Sequence, residues 1–298
     1  MIKFVITGGC SFSDQFSTQN WTRLLEVKIN SKYPDVKFRH TGSQSQGQEL
    51  IQKKISITLI EELQNYKPHE ILVLPMWSGT ERKAFWIDNT EIVKDIMSAY
   101  EKGAGAYLLQ FADLYTQIDQ DKIKFAKNTK YNPEGGWYMS NYFIHDSAIS
   151  KEFFNLHQTI IGFVTTSLEN IIFLQNLCKL KGVNILQSFF RSYVYDDIIQ
   201  NKDHLNLKYL FSVLDHDTIV STTGIYEHLR PTKIVNDKHE GNNLFYKPFE
   251  EDRVSTAKYF CVDDAHPNTS GHNKWLDEVL IPKLNEKNFF NINKKDIL

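Results

Sequence analysis

Apolar positions set up an alternation of strands and helices in the first quarter of the chain. Residues 2 to 6 read as a strand and Trp21 to Ile29 as a short helix. Val36 to His40 read as a second strand. Over Gln48 to Gln64, Ile51, Ile55, Leu59 and Leu63 recur every four residues, which predicts a helix. Glu70 to Met76 carry Ile71, Leu72, Val73 and Leu74 without interruption, the pattern of a strand buried on both faces. This rhythm predicts βαβ units and a parallel sheet.

The rhythm breaks over residues 79 to 150. A helix-like piece (Glu91 to Tyr100), a Gly-rich turn and a Lys-rich stretch precede Tyr131-Asn132-Pro133-Glu134-Gly135-Gly136-Trp137-Tyr138-Met139, and the whole reads as an insertion or lid. Lys151 to Lys181 then predict a long helix, with Leu156, Ile160, Val164, Leu168, Ile171, Leu174 and Cys178 on one stripe and Gly182 as its stop. Val183 to Phe189 predict a fourth strand and Lys258 to Val262 a fifth, around a second variable region at 190 to 257. Ser270 to Glu286 close the chain as a helix. The expected fold is α/β: a three-layer α/β/α sandwich around a mostly parallel five-stranded sheet, as one domain over residues 1–298.

Composition narrows the class. Of 298 residues, 41% are hydrophobic and 13% aromatic, enough for a substantial core and against general disorder. A net charge of -2 argues against a dedicated nucleic-acid binder. The three cysteines (Cys10, Cys178, Cys261) form neither a disulfide framework nor a zinc motif and suit a reducing compartment. Thr7-Gly8-Gly9-Cys10 imitates a lipoprotein cleavage site, but the apolar run before it is too short. With no stretch near the ~20 apolar residues of a membrane span, the expectation is a soluble chain, cytoplasmic or virion-associated, with no membrane partner.

In open parallel sheets the reactive crevice lies beyond the C-terminal ends of the strands. Ser11, Gly47, Ser78 and the Asp263/His266 pair each follow a predicted strand at that edge. An Asp three residues before a His on a loop lets a carboxylate orient one imidazole nitrogen, leaving the other to act as a base. Ser11, in the Gly-Gly-Cys-Ser turn, is the nucleophile candidate; its alternative role is a turn or cap serine, and Ser13 is read as the cap. Asp264 is the rival orienting acid.

These blocks, in their order, resemble the GDSL or SGNH hydrolase family. Its Gly-Asp-Ser-Leu block reads Gly9-Cys10-Ser11-Phe12 here, and its Asp-x-x-His-Pro block reads Asp263-Asp264-Ala265-His266-Pro267, followed by Gly271-His272. Two middle blocks normally supply an oxyanion hole with a glycine amide and an asparagine side chain. Gly47 matches the first; Ser78 stands where the asparagine would. The resemblance implies Ser11 as nucleophile, His266 as base, Asp263 as orienting acid, and Ser11, Gly47 and Ser78 as oxyanion donors. Gly47 is alternatively a permissive turn before a helix.

Trp77, Arg82 and Trp137 are the candidate substrate-binding residues. Each has a plainer alternative: rim packing for Trp77, an ion pair with Glu81 for Arg82, and lid core for the Trp137, Tyr138, Tyr142 and Phe143 cluster. His272 is expected to pack or cap near the start of the last helix. No cofactor and no metal are expected: His145-Asp146 and Asp215-His216-Asp217 lack a ligand spacing, and the Gly8-Gly9 turn matches no phosphate-binding motif. The functional expectation is a serine esterase acting on a small-molecule or glycan ester, an O-acetyl sugar first. The alternatives are a catalytically impaired binding or assembly module on the same fold, and an acyltransferase using the same triad.

Overall fold

The computed structural model describes residues 1–15, 17–43, 46–80, 82–87, 136–141, 159–229, 258–261 and 266–292, with the backbone alone for 83–87 and 136–141. The fold is mixed α/β. The strands are β1 (Phe4–Gly8), β2 (Lys37–His40), β3 (Ile71–Trp77), β4 (Arg82–Ile87), β5 (Gly136–Asn141), β6 (Asn184–Ile185) and β7 (Ser188–Phe189). Five of them form a parallel sheet of order β2-β1-β3-β6, with β7 also pairing with β3. Val5 of β1 lies opposite both Phe38 of β2 and Leu72 of β3, and β6 sets Ile185 opposite Val73. The central β1 and β3 are buried throughout, whereas Lys37 and half-buried Arg39 mark β2 as an edge. β4 and β5 pair antiparallel in a separate two-stranded sheet inside the region read as an insertion.

The helices follow their sequence signals. Asn20 caps α1 (Trp21–Asn30), its side chain accepting the Thr22 and Arg23 amides. α2 (Gln48–Glu62) begins at Gly47 and packs on β1 and β3. α3 (Ile160–Lys181) starts at the Thr159 cap and ends where Gly182 takes a left-handed φ of 71°. α4 (Tyr193–Asn201), α5 (Lys208–Ser212) and α6 (Ile225–Leu229) follow. α7 (Thr269–Trp275) continues through a π-helical turn, Leu276–Leu280, into α8 (Ile281–Glu286). In an unbroken α-helix the Pro282 ring would collide with the carbonyl four residues back, and the widened turn falls at that place.

By length and composition α3 is apolar enough to cross a membrane. Its stripe of Val164, Leu168, Ile171, Leu174 and Cys178 is buried, and the helix packs on α2 and α4 as a core helix does. Residues 151–158 of the predicted helix, and Glu91 to Tyr100, lie outside the described residues.

Two predicted strands differ. The fourth is interrupted at Leu186 and Gln187, and its two pieces bring the count to five. Gln187 is fully buried, so both ends of its amide need partners. Its Oε1 accepts the Trp77 indole N–H (3.0 Å) and its Nε2 donates to Thr218 Oγ1 (3.0 Å). The backbone turns aside there, and the Gln187 N–H donates to the Thr218 carbonyl (2.7 Å). The fifth, Lys258 to Val262, is no strand over its described residues. Phe260 makes one antiparallel bridge to Pro267, Cys261 is exposed, and the Cys261 N–H donates to the His266 carbonyl (3.0 Å), closing a loop.

Candidate active site

β1 delivers the chain into a 3₁₀ turn over Ser11–Ser13. Two hydrogen bonds shape it: the Ser13 N–H donates to the Cys10 carbonyl (2.8 Å), and Ser13 Oγ accepts the Trp21 indole N–H (2.8 Å). Ser13 is therefore an anchor for a core tryptophan rather than the expected cap, and its burial removes it as a rival nucleophile. Ser11 is half-buried at the turn's start.

His266 reaches the same point from the other end of the chain. Asn268 seats it: the Asn268 N–H donates to the Tyr259 carbonyl (2.9 Å), its Nδ2 to the Lys258 and Phe260 carbonyls, and its Oδ1 caps the first turn of α7 at the Gly271 N–H (3.0 Å). His266 Nε2 lies 2.6 Å from Ser11 Oγ, across a separation of 255 residues. Phe12 packs edge-on to the His266 ring (centroids 5.0 Å apart) and fixes its plane. Asp263 and Asp264 lie outside the described residues.

Beside the pair, a second loop meets the Ser11 turn. The Gln15 N–H donates to the Gly42 carbonyl (2.9 Å) and the Ser43 N–H to the Gly9 carbonyl (3.2 Å). That loop leads to Gly47, the N-cap of α2. Among the described residues neither the Ser11 nor the Gly47 amide has a hydrogen-bond acceptor. Unpaired N–H groups at a nucleophile turn and at a helix N-terminus can receive a developing negative charge. Ser78 follows β3, fully buried, and its carbonyl accepts Gln48 Nε2 (2.7 Å). Its hydroxyl has no partner among the described residues. Nearby in the chain, Thr80 Oγ1 donates to Asp197 Oδ2 (3.4 Å).

The candidate substrate-binding residues separate. Trp77 is 0% exposed with its N–H held by Gln187, so it offers no face to a substrate; it is core. Arg82 opens β4 with its guanidinium 4.9 Å over the Phe190 ring. Phe190 in turn packs edge-on to Phe12 (5.5 Å), so an aromatic row joins Arg82 to His266. Glu81, its expected ion-pair partner, lies outside the described residues. Trp137 sits in β5 opposite Trp86; its side chain, Tyr142 and Phe143 are likewise outside them. So are His145 and Asp146.

Several groups went unread in the sequence. Phe190 had no signal beyond following a strand. Lys54 interrupts the apolar face of α2 and is buried. His40 is buried between Thr7 Oγ1 (2.7 Å from Nδ1) and Glu26 Oε2 (2.9 Å from Nε2). Burial lowers the His40 pKa and keeps the ring neutral, while the hydrogen bond from His40 lowers that of Glu26. A carboxylate only accepts, so Nε2 carries the proton and Nδ1 accepts the Thr7 hydroxyl. Thr7 is fully buried, which makes this a clamp across β1, β2 and α1.

His272 is buried in α7, and burial foremost, then the nearby His266, lowers its pKa to about 3. It stays neutral beside His266, so the two rings do not carry positive charge together. Between about 3 and the ordinary 6.5 the unfolded chain binds the extra proton, so stability falls as pH falls. Each pH unit inside that window costs about 1.4 kcal/mol. Thermal melts should show a steeper loss from pH 6 to pH 4 in the wild type than in His272→Leu; parallel slopes would refute the assignment. Cys178 is pushed up to about 12 by burial and is inert as a thiol.

A scan against protein-family models finds no match to the chain, and neither does a search of curated proteins or of solved structures.

Proposed function

We propose that this chain is a serine esterase of the SGNH type, hydrolysing an acyl ester through an acyl-enzyme on Ser11. One observation carries the reading: the 2.6 Å contact between Ser11 Oγ and His266 Nε2, made by residues from opposite ends of the chain at the rim of the parallel sheet. A lone serine hydroxyl is a poor nucleophile at neutral pH and needs a base within this distance.

The proposed fold is a doubly wound α/β/α sandwich, and the strand order supports it. β2 and β3 flank β1 on opposite sides, so the two connections through α1 and α2 run in opposite directions. Right-handed crossovers then put α1 and α2 on opposite faces. α3 connects β3 to β6 in the direction that α2 connects β2 to β3, which agrees with the packing of α3 on α2.

In the proposed reaction Ser11 Oγ attacks the ester carbonyl as His266 Nε2 takes its proton. His266 returns that proton to the leaving alkoxide, leaving the acyl group on Ser11. A water, activated by the same nitrogen, then releases the acid and regenerates the serine. The Ser11 and Gly47 N–H groups receive the oxyanion, with the Ser78 hydroxyl as a third donor. Asp263 orients His266, with Asp264 as the alternative. Arg82, joined to the base through Phe190 and Phe12, and Trp137 on the adjoining strand would hold the alcohol part, for which an acetylated sugar is the first candidate.

Steady-state hydrolysis of a short-chain aryl ester, with fluorophosphonate labelling alongside, tests the reading. Turnover and labelling of the folded wild type are expected. Failure of both at several probe concentrations would leave a binding module on the same fold. Diversion of product from acid to ester on adding a sugar acceptor would make it a transferase.

A further inference from the structure

The acyl-transfer steps make no use of Lys54, although its amine lies beneath them. α2 carries it on the face shared with Ile51 and Ile55, and the residue is 7% exposed. Lys54 Nζ donates to Ser43 Oγ (3.1 Å), and the Ser43 N–H donates to the Gly9 carbonyl (3.2 Å), two residues before the nucleophile. Asp14 is the charged group whose field favours the ammonium. Asp14 belongs to the segment that follows Ser11 and is itself pinned. Its backbone bridges Gly42, its carbonyl accepts Asn20 Nδ2 (2.7 Å), and the Asp14 N–H is directed at the Ser11 carbonyl (3.4 Å).

We propose that Lys54 is a positioning residue of this site: its buried amine, bonded to Ser43 and through the Ser43 N–H to the Gly9 carbonyl, locks the Ser11 turn against the loop that enters α2 at Gly47. The two N–H groups that receive the oxyanion sit on those two segments, so the lock fixes their separation. For its catalytic consequence the inference rests on the esterase reading above. A serine–lysine nucleophile pair is a poorer account, because Ser43 is 1% exposed and an ester carbonyl has no approach to it.

Retaining a charged lysine in a core is costly, and one of similar volume without charge often leaves stability unchanged or higher. Its presence therefore points to a task other than stability. Burial lowers the amine to about 8, with Asp14 opposing the shift. At neutral pH the ammonium persists and the lock holds. Two alkaline effects of opposite sign follow. Between about 8 and the ordinary 10.5 the unfolded chain binds more protons, so folding stability rises with pH. Over the same range the folded amine loses its charge and its attraction to Asp14, so turnover falls. No other charged group faces Lys54 among the described residues; Ser43 is its neutral partner.

The test compares wild type, Lys54→Met and Ser43→Ala in aryl-ester kinetics across pH, thermal melts, and amide hydrogen exchange over residues 9 to 15 and 41 to 43. Lys54→Met is expected to melt at or above the wild-type temperature at pH 7. Its kcat should fall by roughly tenfold or more, as displaced oxyanion donors require, with KM little changed. The alkaline fall in kcat above pH 8 should disappear, and the two segments should exchange faster together. Ser43→Ala, which keeps the amine, should show the same pattern in weaker form and serves if Lys54→Met does not fold. Wild-type kcat and wild-type exchange in the variants would overturn the inference. So would a kcat loss accompanied by a lowered melting temperature and faster exchange throughout the sheet. If the wild type neither hydrolyses ester nor takes the probe, the esterase reading alone fails. Exchange then decides the role of Lys54: paired loosening supports the lock, and its absence removes it.

Discussion

Ser11→Ala is expected to eliminate ester turnover and fluorophosphonate labelling together, with a loss on the order of 10⁵–10⁶ in kcat for a residue of this kind. His266→Ala should cost about as much, because in the proposed reaction Ser11 Oγ and His266 Nε2, 2.6 Å apart, act as one unit. The informative measurement is the double variant. If the two residues form one nucleophile–base pair, removing both costs no more than removing either. Losses that multiply would mean that the contact is incidental. The native fold should survive both changes: Ser11 is half-buried with its hydroxyl directed at His266, and the turn around it is held by Ser13, Trp21 and the Cys10 carbonyl. Equal near-ultraviolet spectra would establish that.

Gly42→Ala should be the most damaging substitution at a residue with no chemical role. A Cβ at Gly42 would lie 1.9 Å from the Ser13 carbonyl oxygen and 2.6 Å from its carbon. Both are backbone atoms, so no side chain can swing aside. The Ser11 turn and the loop leading to Gly47 must then separate by about an ångström, and a misplacement of that size costs roughly 10² in rate. Overpacking adds about 1–3 kcal/mol of lost stability. Melting temperature and kcat should fall together, unlike the Lys54→Met outcome, in which only kcat falls. A Gly42→Ala protein with wild-type kcat would show that the two loops are not fixed against each other.

What the sequence made legible follows from how strongly each segment was constrained. β1 and β3 are buried on both faces and announced themselves as uninterrupted apolar runs; α2 and α3 did so by their stripes. Ser11 and His266 stand in short blocks whose spacing carries chemistry, and the structure brings them together. The Lys258 to Val262 run misled because apolar content alone does not secure a sheet partner: Phe260 is buried, while Cys261 beside it is exposed. Gln187 broke the fourth strand through side-chain bonds to Trp77 and Thr218, partners separated from it by 110 and 31 residues, which no local pattern encodes. Trp77 was drawn into the site by its place after the third strand; its indole turns inward to that same glutamine. Lys54 was hidden for a related reason. A single lysine on a helix reads as solvent-facing until its burial and its bond to Ser43 are seen.

The joining of the chain's two ends has a temporal side. Trp21 of α1 packs edge-on to Trp275 of α7 (5.6 Å), and the Tyr33 hydroxyl accepts the Asn291 N–H (3.1 Å). Ser11 leaves the ribosome 255 residues ahead of His266. At typical synthesis rates that interval is on the order of tens of seconds. Throughout it the serine has no partner to take its proton. On the esterase reading, the hydroxyl of a nascent chain is unactivated, and reactivity would arrive only when α7 docks on α1. Its onset would then serve as a clock for the docking of α7 on α1.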